Sequence, residues 1–155
     1  MHIRLIAVGD RQPSWVDGAF GKYAQRLPRQ WHFRLQAISS GQRGKQHAGS
    51  AIEAEGQKVL GEIKDAEYVI ALDEHGDQFT SVELGQKLND WQSGGRDLTF
   101  VIGGPDGLAG ACLKRADLIW SLSRLTLPHG LARVLFAEQL YRAWTVSTGH
   151  PYHRA

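Results

Sequence analysis

Two short segments carry the residue types that close approach to a ligand requires. The first is Gly103-Gly104-Pro105-Asp106-Gly107, which follows an apolar run and precedes a helical pattern. Glycines let backbone N–H and C=O groups reach a ligand because no Cβ intervenes. The segment is neither the dinucleotide pattern GxGxxG nor a P-loop, since no Gly-Lys-Ser/Thr follows. A tight strand-to-helix turn and a ligand loop explain it equally well. The second segment is Ser123-Arg124-Leu125-Thr126-Leu127-Pro128-His129. It has few polar side chains but many backbone groups, which suits an adenine ring whose edge is read by main-chain hydrogen bonds. An ordinary strand–loop–helix connection is the alternative. On local pattern alone, His129 fits a cap or a supporting hydrogen bond better than a general base.

Two further segments point to an anionic partner. Residues 18–52 hold six bases (Lys22, Arg26, Arg29, Arg34, Arg43 and Lys45) and no acid. Any one of them is a solvated surface charge by default. Six without an acid, with Arg43 and Lys45 flanking Gly44, point toward phosphate. The C-terminal run from Tyr141-Arg142-Ala143-Trp144 to His150-Pro151-Tyr152-His153-Arg154-Ala155 has no acid after Glu138. Tyr and Arg there suit base stacking and phosphate pairing. His150 and His153 make a weak metal pair, with Pro151 between them and no acid or Cys nearby, so no metal is expected.

The composition narrows the class. The chain has 155 residues, with 18 Lys+Arg against 16 Asp+Glu and a net charge of +2. That small total hides a segregation. Residues 53–97 carry four bases and eleven acids, and residues 98–155 carry six bases and three acids. A hydrophobic content of 42% with five Trp argues against intrinsic disorder, and the length fits one domain, 1–155. The single Cys, Cys112, excludes a disulfide scaffold and a Cys-based zinc finger. Gly9-Asp10-Arg11 cuts off the first apolar run, which reads as a strand rather than a signal sequence. No apolar stretch approaches the ~20 residues that span a bilayer. A cytoplasmic protein with no membrane partner is expected.

Elements must position these segments. Strands are predicted at 3–8, 33–38, 68–72, 98–102 and 118–122. Helices are predicted at 15–27 with Ser14 as cap, 51–64, 81–91, 108–116 and 131–147. Residues 39–50 read as a basic loop. The last helix is expected to bury Leu131, Val134, Leu135, Tyr141 and Trp144. This alternation predicts an α/β fold with a mostly parallel sheet flanked by helices. Ligands of such sheets bind beyond the carboxyl ends of the strands. The loops after Leu72, Ile102 and Leu122 are therefore the expected ligand loops.

Taken together, several motifs are specific. They are Ile102-Gly103-Gly104-Pro105-Asp106-Gly107, Ser121-Leu122-Ser123 with Leu125-Thr126-Leu127-Pro128-His129, and Arg133-Val134-Leu135. Glu138-Gln139-Leu140-Tyr141-Arg142-Ala143 and the ending His150-Pro151-Tyr152-His153-Arg154 complete the set. Over essentially its whole length the chain resembles the RlmH family. These are small SPOUT-class methyltransferases that methylate N3 of a pseudouridine in 23S large-subunit ribosomal RNA. Gly130 departs from the family's usual Pro or Gln and should loosen the helix start slightly.

The resemblance implies a SPOUT α/β knot, a C-terminal trefoil knot formed by about residues 98–155. It implies S-adenosyl-L-methionine held bent in that knot. It also implies a homodimer whose interface borders both active sites, acting on the assembled ribosome. Carried over by motif, the cofactor contacts are Leu72, Gly103, Leu122, Ser123, Arg124, Leu125, Thr126 and Leu127. Either His129 or His153 would orient or deprotonate the target ring. Arg43, Lys45, Arg142, Tyr152 and Arg154 would hold RNA. A non-catalytic RNA-binding factor would not need both the glycine loop and the 122–129 loop. A nucleotide-dependent oxidoreductase would need a GxGxxG after the first strand, which is absent.

Overall fold

The computed structural model describes residues 1–41 and 48–153, without the side chain of Ala48. Arg43, Lys45 and Arg154 lie outside the described residues. The elements run β1 (Ile3–Val8), α1 (Ser14–Ala24), β2 (Arg34–Ile38), α2 (Ala48–Glu62) and β3 (Tyr68–Asp77). They continue through α3 (Ser81–Gly94), β4 (Leu98–Ile102), α4 (Gly110–Arg115), β5 (Leu118–Trp120) and α5 (His129–Thr148). The strands form one parallel sheet in the order β2-β1-β4-β3-β5.

The sheet is covered on both faces, which is why β1 and β4 are buried throughout and, apart from Arg4 and Thr99, apolar. Alternate residues serve opposite faces. Ile3, Leu5 and Ala7 of β1 join Leu98, Phe100 and Ile102 of β4 in the core that α1, α3 and α5 close. Ile6, Val8 and Val101 join Val59 of α2 and Cys112 of α4 on the other face. Phe100 anchors the first core, with its ring centroid 4.8 Å from that of Phe136 on α5.

The observed boundaries differ from the predicted ones for identifiable reasons. Pro13 occupies the N-cap of α1 with no side-chain cap bond, so Ser14 is its first helical residue rather than its cap. The helix ends at Ala24, and Leu27 reaches the core from the following turn. α2 begins at Ala48, inside the predicted basic loop. β3 continues five residues past Leu72 to Asp77. α5 starts two residues early, and its face is turned from the expected one. It buries Arg133, Phe136, Ala137, Leu140 and Tyr141, whereas Leu131 is exposed and Val134, Leu135 and Trp144 are half-buried. A helix whose apolar and polar residues are spread around its axis does not disclose which stripe faces the sheet.

Candidate functional site

A cavity of about 740 Å³ opens at the carboxyl ends of β3, β4 and β5. Each of the three strands delivers one wall. After β4 comes the glycine turn. Gly103 is buried, and a Cβ there would lie 2.5 Å from the carbonyl carbon of Gly107, so only glycine fits. The turn closes with the Gly107 N–H donating to the Gly104 carbonyl at 3.1 Å.

After Leu72, β3 does not simply stop. Leu72 and Asp77 both register against Trp120, so residues 73–76 bulge out between them. The bulge brings Asp73, Glu74 and His75 to the cavity wall. Beyond β5, serines shape the third wall. The Ser121 hydroxyl donates to the Ser123 carbonyl at 2.8 Å, and the Ser123 Oγ accepts from the Leu125 N–H at 2.9 Å. Such local bonds fix a turn without help from a regular element. The Thr126 hydroxyl donates to Glu74 Oε2 at 2.7 Å, tying this wall to the bulge. The backbone amides of Thr126 and Leu127 keep no partner among the described residues.

Leu72, Gly103, Leu122, Ser123, Leu125, Thr126 and Leu127 all line this cavity, and His129 joins them from the first turn of α5. Arg124 does not. It lines an adjoining recess with Glu74, His75, Gly76, Asp77 and Gln78.

The tail forms a second cluster. Tyr152 and His153 sit in a single 3-10 turn, Pro151–His153, that follows α5. The Tyr152 hydroxyl donates to Glu138 Oε1 at 3.1 Å, and Arg142 Nε donates to the same oxygen at 2.9 Å. The Arg142 guanidinium lies 5.1 Å from the centroid of the Tyr152 ring, which meets Tyr141 edge-on at 4.7 Å. Burial, reinforced by the Glu138 charge and hydrogen bond, pushes the Tyr152 phenol up to about 12. The hydrogen bond to Glu138 holds the Arg142 guanidinium above its usual range. Arg142 and Tyr152 are thus brought together on a carboxylate that the sequence pattern did not single out. His153 lines neither the cavity nor the recess, and its Nδ1 is buried with no hydrogen-bond partner among the described residues. His150 Nδ1 accepts the Tyr152 N–H at 3.2 Å, and no cluster of three ligating groups occurs among the described residues.

Sequence reasoning also passed over Arg133. It is 3% exposed and donates through Nη2 to the Val8 and Gly9 carbonyls at the end of β1. The available signal was its place in the Arg133-Val134-Leu135 motif, to which the sequence reading attached no role.

Comparisons with known proteins bear on the family and the fold. Residues 1–153 match the family described as "Predicted SPOUT methyltransferase". Ribosomal RNA large subunit methyltransferase H of Thioalkalivibrio sulfidiphilus is 51% identical over 155 residues, covering 99% of each chain. The protein of the same name from Herminiimonas arsenicoxydans is 46% identical, also over 99% of each chain. Among solved structures, a probable methyltransferase from Bordetella pertussis Tohama I superposes with a TM-score of 0.52. That alignment covers 92% of this chain and 95% of the other at 16% identity, which bears on the fold alone.

Proposed function

Because this chain belongs to the SPOUT methyltransferase family, we propose that it methylates N3 of a pseudouridine in 23S large-subunit ribosomal RNA. The methyl donor in this reading is S-adenosyl-L-methionine, and the substrate is the assembled ribosome in the cytoplasm. The names of the relatives support the RNA class. One observation carries the donor: the glycine turn and the 122–127 loop face one cavity beside His129.

The residues fit such a cofactor. Leu72, Leu122, Leu125 and Leu127 supply apolar walls, and the open amides of Thr126 and Leu127 supply edge donors. The volume lies within the range of small-molecule sites. When bound, the cofactor supplies an electrophilic methyl group on a sulfonium.

The chain's own residues do the rest. The walls hold the reacting groups in line, a large part of catalysis in a two-reactant step. N3 of the acceptor carries a proton that must leave before or as the nitrogen attacks. His129, on the cavity wall, is the favoured group to orient or accept it. His153 remains the alternative, from the tail. Arg142 and Tyr152 hold RNA in this reading, with Arg43, Lys45 and Arg154 outside the described residues. The C-terminal trefoil knot over about 98–155 and the homodimer belong to the same reading. Leu125, 74% exposed on the cavity wall, is apolar surface that a second copy would cover.

Calorimetry with S-adenosylmethionine and single-turnover methylation of ribosomes test the proposal. The protein is expected to bind the cofactor, and His129→Ala is expected to slow transfer by about 10²-fold or more. Absence of binding heat would make the chain a pure RNA binder. Near-parental rates in both His129→Ala and His153→Ala would remove histidine from the chemistry.

A further inference from the structure

Among the described residues two arginines are buried, and they are treated differently. Arg4, at the amino end of β1, is 7% exposed and paired with Glu67 Oε2 at 3.0 Å. Arg133, at the carboxyl end of the same strand, is 3% exposed and makes no salt bridge among the described residues. Its acceptors are the neutral Val8 and Gly9 carbonyls, and its Nε has no hydrogen-bond partner among the described residues. Burial lowers its proton affinity, while the charge of Asp17 on α1 acts in the opposite direction. Burying a guanidinium without a carboxylate is costly, and a neutral amide would serve the two carbonyls as well. Something other than the hydrogen bonds must account for the charge.

Its position suggests what. His129 and Arg133 lie one helical turn apart on α5, so they share a face. Gly9 marks where they converge. With φ at +113°, it places a would-be Cβ 3.3 Å from Arg133 Nη2 and 3.8 Å from His129 Nε2. Gln12 closes the same corner, with its Nε2 3.2 Å from that point. The cation therefore sits directly behind the His129 wall of the cavity, shielded from water.

We propose that Arg133 is a positioning residue that acts by its charge, as the fixed positive pole of the acceptor site. This rests on the reading of a uracil-type acceptor. When N3 loses its proton, negative charge spreads over the two flanking carbonyl oxygens of the ring. The proton passes to the base, and the N3 electron pair forms the new N–C bond. The S–C bond of the donor's sulfonium breaks with its electron pair kept by sulfur, which leaves as a neutral thioether. A preorganised cation in a dry site stabilises the anionic ring without reorganising. The groups shown to share its field are His129 on α5 and Asp17 on α1.

The test uses the full protein with purified ribosomes and S-adenosylmethionine, measuring kcat, KM, cofactor affinity and thermal midpoint. Arg133→Gln keeps hydrogen-bond donors but loses the charge. It should lower kcat at least about tenfold with cofactor affinity and ribosome KM within about twofold of the parent. Arg133→Lys should recover most of the loss. Asp17 is exposed, so Asp17→Asn should fold normally and raise kcat by about twofold by removing the opposing charge. Asp17→Asn at parental kcat overturns the proposal, even if Arg133→Gln fails to fold. So does a folded Arg133→Gln with parental kcat, or an Arg133→Lys no better than Gln. A parent protein that transfers no methyl group at all overturns the acceptor reading instead.

Discussion

Glu138 holds two residues whose types suggested RNA contact, and the sequence reading assigned neither bond. Tyr152 is 14 residues away from it and Arg142 is four. The helical spacing of Glu138 and Arg142 was readable, but the return of the tail onto α5 was not. The same holds for Arg133, whose acceptor Gly9 lies 124 residues away. By contrast, Gly103 and the serines of the third wall act through near neighbours, so their pattern was legible. Tyr152 offers a direct check. Its phenol is raised to about 12 by burial and then by Glu138, so folding favours the neutral form. That contribution is complete below the ordinary phenol value of about 10 and is lost as pH rises through the folded value. An ultraviolet titration should show one tyrosine ionising with a midpoint near 12. Glu138→Gln should move that midpoint down, and an unmoved midpoint would contradict the assigned contact.

At the scale of elements, the parallel strands were the most readable part. β1 and β4 have the predicted bounds, because short apolar runs ended by glycine have few other uses in an α/β chain. The β3 bulge was not readable. Asp73-Glu74-His75-Gly76 has the composition of a turn, and only the shared register against Trp120 reveals a bulge. α5 was legible as a helix but not in its orientation. Its seat on the sheet depends on Phe136, which is fully buried against Phe100, with Trp120 edge-on at 6.4 Å. Phe136→Ala should cost about 3–5 kcal/mol in denaturant unfolding. Because α5 also carries His129, cofactor-stimulated activity should fall as the helix loosens. A cost under about 1 kcal/mol would mean that α5 is seated by other contacts.

On the scale of the whole molecule, a net charge of +2 conceals a basic run at 18–52 and an acidic one at 53–97. Part of that acidic run is structural. Glu67 pairs with buried Arg4, and Asp117 further along the chain engages Arg115. No helix among the described residues is long and apolar enough to cross a membrane. The sheet order places the expected ligand loops together at one edge of the molecule, which strand-end reasoning anticipated from three loops far apart in the chain. The proposed knot and dimer were legible only through family resemblance, because threading and self-association leave no periodic trace in a sequence. Mass spectrometry of ribosomal RNA from a strain lacking this chain reads the proposed reaction itself. One large-subunit pseudouridine is expected to lose a single methyl group and to regain it when the parent sequence, but not His129→Ala, is restored. Identical methylation with and without the chain would contradict the assignment.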